Sequence, residues 1–347
     1  MMATREQRLK RKFGDEPPPG MLPSGKLNVV EGARKTLGRL LGDLEAVLAQ
    51  QFWLVEKFDP NQPRGVSTPG TTPGSWISEG GGDTSHKAAT DLLQHPTKTA
   101  DEIIDSVPGA RERAEEVRRR LAASVPTDAT IEQGGHRLAD GSWAPERAAL
   151  HDRILNDVFT PQQIAAALPA EGEQPTVHVL GGRGGSGKSW FTDPERGGTV
   201  DATKAIMLNN DNFKEALPEY RGWNAALLHE ESSHIGKTAE KFARDNRLNV
   251  IIDGTMRSDY HGKLAEWKAA GYRVEGHYMY LSPQQSAERA IGRFMRGGER
   301  GRYVPPEYSL TSTTNEKSFD GVKNEMDRWE IYDNSGRSPQ LYARSRR

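Results

Sequence analysis

The run Gly182-Arg183-Gly184-Gly185-Ser186-Gly187-Lys188-Ser189 has the residue types and spacing of a polyphosphate cradle, fitting G-x-x-x-x-G-K-[ST] at every fixed position. Glycine lets successive backbone N–H groups come close to phosphate oxygens. Gly182, Gly184, Gly185, Ser186 and Gly187 would form the cradle. The Lys188 ammonium would reach the β- and γ-phosphates, and the Ser189 hydroxyl would hold Mg²⁺. ATP or GTP with Mg²⁺ is therefore expected, and the groups facing the loop decide the fate of the γ-phosphate.

Three further groups could act there. Asp211, in Asn209-Asn210-Asp211-Asn212-Phe213-Lys214, could accept a proton from an attacking hydroxyl or hold Mg²⁺ through water. An Asp at that place could equally be an ordinary helix N-cap. Asp253 opens Asp253-Gly254-Thr255-Met256-Arg257, where Thr255 offers a donor and acceptor and Arg257 a cation; a capped strand-to-helix turn is the plainer alternative. Arg289, Arg293, Arg296, Arg300 and Arg302 follow. Arginines that stabilise a transferring phosphoryl group are worth roughly 10³–10⁵ in rate. Arg289, Arg293 and Arg296 share a helix face by their spacing, and most of these arginines are expected to be solvated.

Such groups need a sheet to converge them. Residues 176–180 are short, β-branched and apolar, as a buried parallel strand before the loop requires. Strands are expected at 177–180, 205–208, 250–252, 274–281 and 329–332, and helices at 223–245, 261–270, 283–295 and 313–326. Thr313 and Glu316 have capping-box spacing. The alternation predicts an α/β fold, and ligands in open parallel sheets sit beyond the carboxyl ends of the strands. Asp211 and Asp253 both fall on that rim. Pro194, soon after Lys188, should cut short the helix behind the loop.

Taken together, the loop, Asn210-Asp211-Asn212-Phe213-Lys214 with Leu217-Pro218-Glu219-Tyr220, His229-Glu230-Glu231-Ser232-Ser233, Asn249 to Thr255, Arg293, and Gly301-Arg302-Tyr303-Val304-Pro305 resemble the zeta toxin family over about residues 145–340. The resemblance implies a P-loop kinase-like parallel sheet flanked by helices. It also implies transfer of a γ-phosphate to a hydroxyl of a nucleotide sugar, UDP-N-acetylglucosamine. By resemblance Asp211 is the general base, Lys188 and Ser189 serve phosphate and Mg²⁺, and Arg293 and Arg302 clamp the γ-phosphate. Glu231, Asp253, Thr255 and Arg257 would face the sugar nucleotide, with Lys214 among the substrate-binding residues. Asp253 stands where some members carry the longer Glu, so the sugar pocket is expected to differ.

Composition bounds the remainder. The 347 residues carry a net charge of -1 and no cysteine, which excludes disulfides, thiolate metal sites and cysteine nucleophiles. The balanced charge argues against nucleic acid as a partner and so against a polynucleotide kinase. No apolar run approaches the ~20 residues of a membrane span, and residues 1–14 lack the apolar core of a secretory signal, so a cytoplasmic protein is expected. Residues 1–32 read as a disordered basic and Pro-rich arm. Residues 33–58 read as an amphipathic helix, with Leu37, Leu40, Leu41, Leu44 and Leu48 on one stripe. A Gly/Pro/Ser-rich linker (59–86), a helical and irregular region (87–143), the kinase domain (144–340) and a basic tail (341–347) complete the expected order. The amphipathic helix could pack on its neighbours or cover the nucleotide site as separate antitoxins do in this family. The linker is similar to linkers of tailed-phage head and mobile-element proteins, which makes a virion-associated structural or injected protein the alternative function.

Overall fold

The computed structural model describes residues 86–124, 136–257, 260–312 and 314–346, all within one compact unit. The arm, the amphipathic helix and all but the last residue of the linker lie outside them. Among the described residues, six strands form one sheet: β1 (Thr176–Gly181), β2 (Ile206–Asn209), β3 (Val250–Asp253), β4 (Arg273–Tyr280), β5 (Arg328–Asp333) and β6 (Gln340–Arg344). Their order is β2-β3-β1-β4-β5-β6. The first five run parallel and β6 returns antiparallel to β5. The sixth strand replaces the expected basic tail. Leu-Tyr-Ala-Arg alternates too briefly to signal a strand, and β5 supplies the edge that orders it, burying Ala343.

One sheet face carries the main core. Val177, Val179, Ile206, Leu208, Val250, Ile252, Val274, Tyr278, Tyr280 and Ile331 pack there against helices. In chain order the helices are α1 (Ala100–Asp105), α2 (Ala110–Ala123), α3 (Pro145–Val158), α4 (Pro161–Ala167), α5 (Asn210–Ala216), α6 (His229–Asp245), α7 (His261–Ala269), α8 (Pro283–Arg296), α9 (Pro306–Thr311) and α10 (Thr314–Val322). None of the described helices is long and apolar enough to cross a membrane. α4 was not expected; its signal was a capping box, with Thr160 and Gln163 satisfying each other's backbone N–H groups.

The opposite face is covered differently. Residues Lys188–Thr192 make only a 3₁₀ turn, because Pro194 has no N–H to continue a helix. The apolar cluster there draws only on strand residues and on residues after the phosphate loop: Leu180, Ile251 and Met279 with Trp190, Phe191 and Val200.

Other boundaries differ from expectation for local reasons. The helix expected from residue 223 begins at His229, since Asn224 accepts from the Arg221 N–H and donates to the Glu219 carbonyl, holding a turn. The 87–143 region is no separate body. Pro96, Pro108 and Gly109 break it, and Ile103, Ile104, Ala114 and Val117 of α1 and α2 bury against Ala287, Ile291 and Phe294 of α8. Arg113 lies 4.1 Å from the Phe294 ring and donates to the Phe294 carbonyl (2.9 Å), closing the end of α8. Thr313, one half of the expected capping box, lies outside the described residues. Its partner Glu316 accepts from Arg183 Nε and Nη2, at 3.1 and 2.7 Å, with both side chains essentially out of solvent.

Removing one partner of such a buried pair leaves the other charge uncompensated. Glu316→Ala should lower the unfolding free energy by about 3–5 kcal/mol, measured by denaturant titration. A loss below about 1 kcal/mol would show that this pair does not hold the loop to α10.

Candidate active site

The phosphate loop is shaped by close backbone approach. Gly182 has φ 136°, and a Cβ there would meet the Met279 carbonyl oxygen at 2.4 Å. Gly187, at φ 90°, would place a Cβ 2.6 Å from Asn334 Nδ2. The loop is tied from behind through its carbonyls. Ser286 Oγ donates to Gly184 O (2.6 Å), Asn334 Nδ2 donates to Ser186 O (2.7 Å), and Arg289 Nη1 reaches Gly185 O at 3.4 Å. Arg289 also donates to the Asn334 carbonyl (3.2 Å), so α8 and the end of β5 grip the loop together. At Gly184 the space where a Cβ would stand is open.

Sequence reasoning missed Ser286 and Asn334. Asn334 directly follows β5, so the strand-end rule applied to the last parallel strand would have found it. Nothing in the sequence marks Ser286, which is one small residue on the buried side of α8.

Lys188 folds back over the cradle, donating to the Gly182 and Arg183 carbonyls at 3.2 and 3.4 Å, with Asp253 Oδ1 at 3.8 Å. Desolvation pushes its ammonium below the ordinary lysine range, against the pull of Asp253 and Asp211. Asp253 reaches this place because β3 lies beside β1, with Asp253 in register with Leu180. Desolvation raises its carboxyl, Lys188 opposes that, and Oδ2 accepts from Asn209 Nδ2 (2.8 Å).

Asn209 also resolves the role of Asp211 in its helix. Its Oδ1 accepts the Asp211 N–H (2.8 Å), so Asn209 is the N-cap of α5 and the Asp211 carboxylate is released from that duty. Asp211 instead binds Arg302 Nη1 through Oδ2 and Lys214 Nζ through Oδ1 at 3.4 Å. Desolvation alone would raise its carboxyl; Arg302 and then Lys214 outweigh that and hold it below the usual carboxylate range. Lys214 is buried and pushed down by desolvation. Arg293 projects from α8 into the same field, its guanidinium lowered by desolvation and by Arg302. Four cations, Lys188, Lys214, Arg293 and Arg302, thus act on two carboxylates, Asp211 and Asp253, and leave a cationic cleft at the strand ends.

The remaining expected residues have the following surroundings. Glu231 is fully buried in α6, bound by Arg147 Nε (2.6 Å) and Nη2 (2.8 Å) and by His151 Nε2 (2.6 Å), where it joins α6 to α3. Arg147 and His151 of α3 claim its carboxylate, which is withdrawn from solvent. The Thr255 carbonyl accepts from Asn315 Nδ2 (2.7 Å), and the Arg257 guanidinium lies 4.3 Å from the Tyr308 ring centre. Arg257 also lines a cavity of about 270 Å³ with Tyr260, His261, Thr314 and Lys317. Ser189 is exposed at the start of the 3₁₀ turn.

A loop of this kind between β1 and a cationic cleft at the strand ends defines a P-loop kinase-like fold. The zeta toxin family model matches residues 162–346, more than half of the chain, and the chain belongs to that family, whose members are kinase-like phosphotransferases. No curated protein matches the chain significantly. Among solved structures, one from the PezAT chromosomal toxin–antitoxin system of Streptococcus pneumoniae is 15% identical, with a TM-score of 0.46, over 61% of this chain and 84% of that one. The complex of AvrRxo1-ORF1 with AvrRxo1-ORF2, holding sulphate ions, is 19% identical, with a TM-score of 0.46, over 58% of this chain and 68% of that one. The same pair with ATP gives 19% identity and a TM-score of 0.45 over the same shares.

The Asp211–Arg302 pair predicts a pH effect. A depressed folded-state pKa contributes stability above the unfolded pKa and loses it as pH falls through the folded value. Arg302→Ala removes the larger lowering partner, so the Asp211 pKa should rise and that contribution should be lost at a higher pH than in wild type. NMR titration of the Asp211 carboxyl measures this, and an unchanged pKa would contradict the electrostatic account.

Proposed function

We propose that the chain transfers the γ-phosphate of ATP or GTP to a hydroxyl of a nucleotide sugar, UDP-N-acetylglucosamine. The observation that carries this reading is the chain of contacts beside the phosphate loop: Lys188 Nζ lies 3.8 Å from Asp253 Oδ1, Asn209 donates to Asp253 and caps the Asp211 amide, and Arg302 binds Asp211. A loop that only bound nucleotide would have no need of a carboxylate released from its helix cap and facing two clamping arginines.

In this mechanism the acceptor hydroxyl oxygen attacks the γ-phosphorus in line, the bond to the bridging oxygen breaks, and nucleoside diphosphate leaves. Asp211 accepts the hydroxyl proton. Before substrate enters, Arg302 neutralises Asp211. A phosphoryl group in the cleft competes for that guanidinium, and as Arg302 turns to it Asp211 loses its strongest partner and becomes a better base. Lys188 and Arg293 hold the charge that spreads over the phosphoryl oxygens. The donors fit Mg²⁺, a hard cation that prefers oxygen ligands: Asp253 Oδ1 has only a long contact to Lys188, and Ser189 carries a free-standing hydroxyl beside it in sequence. Ser189 and Asp253 would hold the ion, with Asp211 reaching it through water, and the ion would neutralise phosphate charge. The cavity lined by Arg257 and Lys317 supplies cations for the acceptor's diphosphate. A partner that inhibits the chain would act by covering this cleft.

Purified protein with labelled ATP, Mg²⁺ and UDP-N-acetylglucosamine should yield a labelled sugar nucleotide. Lys188→Ala should abolish transfer, and Asp211→Asn should lower kcat by about 10²–10⁴. Transfer to other acceptors but not this one would overturn the substrate; full activity in Asp211→Asn would overturn the base.

A further inference from the structure

The sheet face behind the phosphate loop is unusual chemically. Strands of a parallel sheet are ordinarily apolar on both faces. Here β1 and β4 place His178, Glu275 and His277 on the thinly covered face, with His178 in register with Glu275 and Leu180 with His277. Burying three such groups is costly unless they satisfy one another or bind something.

Their geometry permits both. His178 Nδ1 is 3.0 Å from His277 Nε2 and 3.6 Å from Glu275 Oε2. One donor atom from each of the three residues lies within 4.8 Å of the others. Tetrahedral zinc with Zn–N distances near 2.05 Å separates its donors by about 3.3 Å, between the two short distances here. The outer groups are also in place. Glu330 Oε1 accepts from His277 Nδ1 (2.7 Å) and from Thr199 Oγ1 (2.6 Å), which fixes the ring with Nε2 directed at His178. Arg273 Nε donates to Glu275 Oε1 (2.9 Å), which leaves Oε2 directed inward. The His178 side chain keeps 19% exposure, so an ion can enter from solvent.

We infer that His178, Glu275 and His277 form a binding site for a borderline divalent transition metal of the zinc class, with a fourth position open to water. Two imidazole donors select Zn²⁺, Co²⁺ or Ni²⁺ over Mg²⁺ and Ca²⁺. Without metal, His178 Nδ1–H donates to the His277 Nε2 lone pair. Binding moves that proton through solvent to His178 Nε2, and both imidazoles stay neutral. The Phe191 ring lies 5.4 Å from the His277 ring. Phe191 belongs to the 3₁₀ turn that begins at Lys188, so the ion would brace the turn behind the phosphate loop where Pro194 prevents a helix.

The full chain, stripped with a chelator, should bind one equivalent of Co²⁺ with the intense visible absorption of a four-coordinate ion. Zn²⁺ should displace it and raise Tm, while equimolar Mg²⁺ does neither. His178→Gln and Glu275→Gln should each lose the absorption, Glu330→Gln should weaken affinity about 10–100-fold, and His261→Gln should bind as wild type. A wild-type chain with no saturable Co²⁺ spectrum would overturn the site, as would an undiminished spectrum in both His178→Gln and Glu275→Gln. Because the wild-type titration decides alone, a variant that fails to fold does not shelter the proposal.

Discussion

A phosphate loop must hold its amides toward an anion before the anion arrives. In most such loops the following α-helix fixes the far end and adds its dipole. Pro194 removes that support here, leaving a 3₁₀ turn. The loop is therefore held through its outward-facing groups. Carbonyls at Gly184, Gly185 and Ser186 are taken by Ser286, Arg289 and Asn334, and the Arg183 side chain is locked to Glu316. Gly182 seats against the Met279 carbonyl of β4, an approach that no side chain would permit. Four elements distant in sequence thus do the work usually given to one adjacent helix.

That arrangement explains why the segment before the kinase region is integral to it. α8 grips the loop with Ser286 and Arg289 at one end and leads toward Arg302 at the other. Its outer side would be exposed without α1 and α2, which bury Ala287, Ile291 and Phe294. Arg113 closes its carboxyl end through the Phe294 carbonyl. The position of the cationic cleft accordingly depends on residues that carry no recognisable chemistry.

The cleft itself is balanced rather than simply basic. Asp211 and Asp253 are kept apart in character by their surroundings: two cations hold Asp211 below the carboxylate range, while desolvation lifts Asp253. Asn209 contacts both, capping α5 at the Asp211 amide and donating to Asp253. One amide side chain so sets the spacing of the two acids.

The phosphate loop, the five parallel strands, the strand-end placement of Asp211 and Asp253, and the interruption at Pro194 are all legible in the residue order. These follow from local rules: glycine spacing, β-branched runs, and the missing proline N–H. Which polar groups meet depends instead on how the elements pack. Glu231 looked like a cleft residue, yet it is enclosed by Arg147 and His151 across two helices. Nothing local to Glu316 marks its pairing with Arg183 from far along the chain. β6 read as a tail until the edge of β5 paired with it. A buried charge takes the nearest opposite charge that packing brings to it, and that neighbour is fixed by the sheet order and by which helix covers which face.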